Sequence, residues 1–66
     1  MNLKLRNARE KTRLTQNEVA QKACISTMSY QRYESGERVP NVYTAQLIAK
    51  ALNSTVESLF DVNSND

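Results

Sequence analysis

Residues 16–34 read QNEVAQKACISTMSYQRYE, and this stretch decides the fold. Thr15 comes directly before it and Glu18 follows three residues later, which is the spacing of a capping box at a helix start. Ser26 offers a second cap eleven residues further along. The two helix starts leave room for about two turns of helix and a sharp corner at residues 23–25. The pattern therefore predicts a helix-turn-helix.

The apolar residues of this stretch recur at helical spacing and are expected to face inward. They are Val19, Ala20, Ala23, Ile25, Tyr30 and Tyr33. The outward face of the second helix then carries Thr27, Met28, Gln31 and Arg32. Glutamine and arginine can make paired hydrogen bonds with base edges in the major groove of DNA, so this face is a candidate DNA-reading surface.

Capping and breaking residues divide the chain into five predicted helices. Asn2 can cap the first helix, which ends near Thr12, and the helices of the central motif cover about 16–23 and 27–35. Gly36, the only glycine, follows where a left-handed C-terminal cap is wanted.

The second half of the chain predicts a fourth helix from Val42 to about Leu52, capped by Asn41. Its apolar stripe is expected to comprise Val42, Ala45, Ile48, Ala49 and Leu52. Ser54 and Glu57 have the spacing of another capping box, which predicts a short fifth helix that ends near residue 60.

Composition narrows the class of protein. The 66 residues suit one domain, assigned to residues 1–60, with 61–66 as a polar tail. The charged start MNLKLRNARE does not resemble a signal peptide, and no apolar run could span a membrane, so a cytoplasmic protein is expected. The chain has one cysteine and no histidine, so no zinc site is expected. It also has no glycine-rich phosphate loop and is too small for a deep pocket, so no cofactor, small-molecule ligand or enzymatic activity is expected.

Charge is unevenly distributed along the chain. Residues 1–38 carry eight Lys and Arg against four acidic residues, whereas residues 39–66 carry one lysine against three acidic residues. The cationic half therefore contains the helix-turn-helix, which favours a polyanionic partner on that side.

Short sequence pieces along most of the chain occur in the order and spacing of a known family. They are Leu5-x-x-x-Arg9, Leu14-Thr15-Gln16, Val19-Ala20, Ile25-Ser26, Tyr33-Glu34-x-Gly36, Pro40, Ile48-Ala49-x-Ala51-Leu52 and Leu59-Phe60. Together they resemble the lambda-repressor-like DNA-binding domains, the XRE/Cro type of transcriptional regulator. The resemblance implies a compact all-α, five-helix fold in which helices 2 and 3 form the helix-turn-helix.

The resemblance also implies roles for individual residues. Base edges would be contacted by Thr27, Met28, Gln31 and Arg32. Phosphates would be contacted by Thr15, Gln16, Gln21, Arg38 and Asn41, together with the first amides of helix 4. Gln16 would also brace the recognition helix, and Arg9 would form an ion pair with Glu34 between helices 1 and 3.

The sequence departs from the family pattern in three places. Cys24 and Arg13 stand where glycine is common, which predicts some backbone strain at these corners. Tyr30 stands where isoleucine or valine is common, which predicts a repacked core. Met28 cannot make a strong hydrogen bond, so contact with a thymine methyl group is the better expectation for it.

Tyr43 and Leu47 are four residues apart on helix 4, off its predicted inward stripe. An apolar pair of this kind is common on ordinary surfaces. It is also what a dimer interface would require, and we adopt that interpretation as the hypothesis.

The sequence therefore predicts a sequence-specific regulator, a repressor, that binds double-stranded DNA as a homodimer. The recognition helix would lie in the major groove of each half of an inverted repeat. The alternative is a protein–protein interaction module or an antitoxin-type partner that keeps the fold, with DNA binding secondary. Retention of Gln16, Gln31, Arg32 and Arg38 argues for the first interpretation.

Overall fold

The computed structural model describes residues 1–60. Within that range the chain forms five helices and no strand, which confirms the predicted all-helical class. The helices are α1 (Leu3–Lys11), α2 (Gln16–Lys22), α3 (Thr27–Ser35), α4 (Val42–Ala51) and α5 (Val56–Leu59). The predicted polar tail, residues 61–66, lies outside the described residues.

The first four helices begin at the residues that the sequence predicts as caps. Asn2, Thr15, Ser26 and Asn41 each accept, through a side-chain oxygen, a backbone amide hydrogen from the first turn. At Thr15 the capping box is complete, because the Glu18 carboxylate also accepts from the Thr15 amide at 2.9 Å. Each cap satisfies a backbone donor that has no partner within its helix.

The predicted capping box at the start of α5 is wrong by one residue. Thr55, not Ser54, is the cap, and its hydroxyl oxygen accepts from the Ser58 amide at 3.1 Å. The Ser54 amide instead donates to the Ala49 carbonyl oxygen at 2.8 Å and closes the end of α4. Ser54 thus completes the preceding helix, and the next helix can begin only one residue later.

One core brings the helices together. It comprises Leu5, Val19, Ala20, Ala23, Tyr30, Ala45, Ile48, Ala49, Leu52, Leu59 and Phe60. Asn2 reinforces the packing, because its amide donates to the Glu34 carbonyl oxygen and its side chain donates to the Leu59 carbonyl oxygen, each at 2.8 Å. The start of α1 is thereby joined to both α3 and α5.

The prediction for the apolar face of α4 requires a correction at two residues. Val42 was expected in the core but is 70% exposed. It is the first residue of the helix, where the side chain leans back toward the N-terminus and away from the packed turns. Leu47 was placed off the inward stripe, yet it is partly buried and packs against the core. The other four residues of the predicted stripe, Ala45, Ile48, Ala49 and Leu52, are buried as expected.

Three corners adopt the left-handed backbone conformation without glycine. Arg13, Cys24 and Asn53 have φ values of 60°, 60° and 53°. This conformation costs an L-residue roughly 1–2 kcal/mol, so the strain predicted at Arg13 and Cys24 is present. At Gly36 (φ 84°) a Cβ atom would lie 2.9 Å from the Met1 nitrogen, so both backbone conformation and space favour glycine there.

Candidate nucleic-acid interface

The corner between α2 and α3 fixes how the second helix is presented. The Cys24 amide donates to the Gln21 carbonyl oxygen at 3.1 Å, and the Ile25 amide donates to the Ala20 carbonyl oxygen at 2.9 Å. These bonds close the end of α2 within a few residues of the cap of α3. Val19, Ala20, Ala23 and Tyr30 are fully or almost fully buried where the two helices pack. The short corner and the shared core therefore set the position of α3, the predicted recognition helix, relative to α2.

The four predicted base-contacting residues differ in exposure. Met28 is 61% exposed and Gln31 is also exposed, whereas Thr27 and Arg32 are only partly exposed. The structure nevertheless brings all four onto one helix, α3, outside the core.

Asn17 is a neighbour of this surface that the sequence analysis did not include. The Thr27 hydroxyl donates to Asn17 Oδ1 at 2.6 Å and links the start of α3 to the first turn of α2. Both residues are polar and exposed or half-exposed. Their ten-residue separation has no local periodicity, so only the tertiary fold reveals the pair.

A buried carboxylate lies behind the recognition helix. Glu34 is 5% exposed, and its two oxygens accept four hydrogen bonds. Oε2 accepts from Arg9 Nε at 2.7 Å and from the Tyr30 hydroxyl at 2.7 Å. Oε1 accepts from Gln16 Nε2 at 2.9 Å and from Arg9 Nη2 at 3.3 Å. The ion pair that the resemblance implies between α1 and α3 is therefore part of a larger network.

The network determines the charge state of its members. Burial alone would raise the pKa of Glu34, but hydrogen bonds from Arg9, Tyr30 and Gln16, with the charge of Arg9, outweigh burial and lower it. Burial and the bond to Glu34 raise the pKa of the Tyr30 hydroxyl, so the hydroxyl stays protonated and donates. At neutral pH Glu34 is thus an ionised group that can only accept hydrogen bonds.

Gln16 connects this buried network to the exposed face of α3. Its Nε2 donates to Glu34, and its Oε1 accepts from Gln31 Nε2 at 3.3 Å. Gln16 is the first residue of α2 and is half-buried, so its side chain bridges the helix start and the recognition helix. Gln16 therefore contacts α3 in the way that the resemblance implies for a bracing residue.

The other predicted phosphate-contacting residues lie in two groups along the chain. Thr15 caps α2, and Gln21 lies exposed on the same helix. Arg38 is exposed in the loop after α3, and Asn41 caps α4. Thr15 and Asn41 lie at helix starts, where backbone amides and the helix dipole favour an anion, whereas Gln21 lies in the last turn of α2.

The described residues contain neither a metal-binding cluster nor a membrane-spanning helix. Among residues 1–60, no cluster of three or more His, Cys, Asp or Glu side chains is placed to hold a metal ion. None of the helices described in this range has the length and hydropathy needed to cross a membrane.

Two capped helices joined by a tight corner define a helix-turn-helix. A family model described as helix-turn-helix matches residues 5–59. The chain therefore belongs to this XRE/lambda-repressor-like helix-turn-helix family of DNA-binding transcription regulators. No curated protein and no solved structure matches the chain in the corresponding searches.

Proposed function

We propose that the protein is a sequence-specific repressor that binds an inverted-repeat operator as a homodimer, with α3 in the major groove. The observation that carries the proposal is the bracing of α3. Hydrogen bonds from Gln31 to Gln16 and from Thr27 to Asn17 hold two side chains of its polar face against α2. Such preorganisation lowers the entropy lost when side chains are ordered on a target.

Four residues of α3 are proposed to read the bases. Arg32 suits the two acceptors of guanine, and Gln31 suits the acceptor and donor of adenine. Met28, exposed and apolar, suits a thymine methyl group. Thr27 lies at the first position of α3, the end of a recognition helix that contacts base edges in this class of domain.

Phosphate contacts are proposed for residues that come before and after these base-contacting residues in the sequence. The residues are Thr15, Gln16, Gln21, Arg38 and Asn41. Such contacts fix the position of the protein on the duplex and carry no sequence information themselves. Arg38 is the only formal charge in this set, so it should contribute most to the salt dependence of binding.

The dimer interface is proposed on α4, around Tyr43 and Leu47. Tyr43 is 70% exposed, so it is available to a second subunit. Leu47 is partly buried and would contribute only the portion of its side chain that the core leaves uncovered. Repression would follow from operator occupancy in the cytoplasm and would require neither a cofactor nor enzymatic activity.

The proposal is tested by selecting duplexes from a random pool with the purified protein at near-physiological salt. We expect an inverted repeat with half-site centres about 10 base pairs apart, or a multiple of this distance. A single half-site would contradict the dimer. Weak, salt-sensitive binding without a consensus would contradict sequence-specific regulation and favour the protein-partner alternative.

A further inference from the structure

The buried network determines how the side-chain amides of Gln16 and Gln31 are oriented, that is, which end of each donates and which accepts. A side-chain amide offers two hydrogens on nitrogen and an acceptor on oxygen, and the two ends have nearly the same shape. Glu34 is buried beside Arg9 and can only accept, so Gln16 must direct Nε2 toward it. The opposite orientation would place two oxygen acceptors 2.9 Å apart in a buried site.

This orientation continues to the surface. With Nε2 on Glu34, Gln16 presents Oε1 to Gln31, which must therefore direct its own Nε2 inward; the distance is 3.3 Å. Gln31 is exposed and keeps its carbonyl oxygen and one amide hydrogen for an external partner. The orientation of the exposed Gln31 amide thus depends on Glu34, a buried carboxylate that cannot itself contact DNA.

We propose that Glu34, acting through Gln16, orients the Gln31 amide so that Gln31 selects adenine at one position of each half-site. The inference rests on the proposed function and adds the origin of one base preference. Adenine presents an N7 acceptor beside an N6 donor in the major groove, which matches one amide hydrogen and one carbonyl oxygen. Guanine presents two acceptors, so its O6 would face the Gln31 oxygen without a hydrogen between them.

Tyr30 supports the orientation from within the core. Its hydroxyl and Arg9 Nε donate to Oε2 of Glu34, whereas Gln16 donates to Oε1, which it shares with Arg9 Nη2. Tyr30 is fully buried, so this hydroxyl cannot itself reach DNA. Glu34, Gln16 and Tyr30 are thus positioning residues, and Gln31 is the contacting residue.

The test uses the selected operator and the full chain. The position read by Gln31 is the base pair at which Gln31→Ala abolishes a preference, and duplexes carrying each of the four base pairs there are then compared. We expect the unaltered protein to favour adenine over guanine by about tenfold, within the range for paired amide contacts. Gln16→Met should reduce this ratio to near one, because methionine keeps the side-chain shape but cannot orient Gln31.

Two further variants separate orientation from simple phosphate binding. Gln21→Met, the same substitution at an exposed position of α2, should weaken binding to all four duplexes equally and leave the adenine preference intact. Gln16→Lys keeps a donor for Glu34 and adds a positive charge, but it offers no acceptor to Gln31. It should lose the adenine preference whatever its effect on the mean affinity for the four duplexes, and it remains informative if Gln16→Met folds poorly.

The outcomes distinguish this inference from the proposed function. Binding without any consensus contradicts the proposed function, and the inference falls with it. A consensus in which Gln16→Met weakens all four duplexes equally leaves the regulator intact and overturns only the inference. A preference for guanine at the Gln31 position, or the absence of any position at which Gln31→Ala changes the ratio, overturns it as well.

Discussion

The surroundings of Glu34 and the first turn of α4 show opposite relations between polarity and burial. At Glu34 a carboxylate is buried, yet its oxygens accept four hydrogen bonds from α1, α2 and α3. At the approach to α4, Val39, Val42 and Tyr43 are apolar, yet they are 77%, 70% and 70% exposed. One region contains buried charge with its partners, and the other contains apolar surface that the described chain leaves open.

The difference separates what fixes the recognition helix from what remains for a second molecule. Desolvation makes a buried charge costly unless it is paired, so the groups around Glu34 tolerate little change of geometry. Exposed apolar side chains impose no such constraint on the monomer, because most of their surface stays in water in either state. Stability should therefore be sensitive to substitutions in the first region and insensitive to them in the second.

The largest effect is expected from Glu34→Ala. The substitution removes the only acceptor that the described residues offer the buried Tyr30 hydroxyl. It also leaves the Arg9 side chain, only 15% exposed, with the Leu14 carbonyl oxygen as its remaining acceptor in that part of the chain. We expect a loss of about 3 to 5 kcal/mol in the free energy of unfolding, the usual cost of breaking a buried pair. Urea denaturation followed by circular dichroism measures this loss.

Glu10→Ala is the matched control, because it also breaks an arginine–glutamate pair. Arg6 and Glu10 are joined at 3.2 Å on α1, but their side chains are 46% and 52% exposed. We expect a change below about 0.5 kcal/mol, as for other exposed pairs. Equal losses in the two variants would show that burial of the Glu34 network does not determine its contribution.

The second prediction, with a smaller effect than Glu34→Ala, is Val19→Thr, for which Val42→Thr is the matched control. Val19 is fully buried between α2 and the core, so the new hydroxyl should cost about 1 to 3 kcal/mol. Val42 is exposed, and the same change should alter the free energy of unfolding by less than about 0.5 kcal/mol. Thermal unfolding of both variants measures the difference, and a comparable loss at Val42 would place that residue back in the core.

Local chemistry explains why much of the fold could be predicted from the sequence. Capping at Thr15 or Asn41 depends on side chains within three residues, so sequence spacing is enough to identify it. The prediction that Ser54 caps α5 failed because local spacing does not show the bond from the Ser54 amide to the Ala49 carbonyl oxygen in the preceding helix. The sequence pattern indicated only the capping use of Ser54.

The candidate site was predictable only in part, for a related reason. Spacing placed Gln31 and Arg32 on α3, and the family resemblance paired Arg9 with Glu34. The contribution of Tyr30 to that pair could not be read from periodicity, which identifies only its burial. The Thr27–Asn17 bond likewise depends on how two helices meet. Contacts between helices decide the orientation of polar groups, and no local pattern encodes them.

The smallest of the three stability effects is expected from Tyr30→Phe. The substitution keeps the aromatic ring in the core and removes only the hydroxyl that donates to Glu34 at 2.7 Å. A hydrogen bond to a charged group contributes roughly 1.5 to 3 kcal/mol. We expect a loss near the lower limit, about 1.5 kcal/mol, because Arg9 and Gln16 remain as donors to the carboxylate.

Tyr43→Phe makes the same chemical change in the other region and is the matched control. Tyr43 is 70% exposed, so its hydroxyl can bond to water whether the chain is folded or unfolded. We expect its free energy of unfolding, measured by urea denaturation, to change by less than about 0.5 kcal/mol. If Tyr30→Phe were equally neutral, the Tyr30 hydroxyl would be dispensable for stability, and Glu34 would be held by Arg9 and Gln16 alone. If only Tyr30→Phe loses stability, the buried network depends on a residue that the family pattern does not contain.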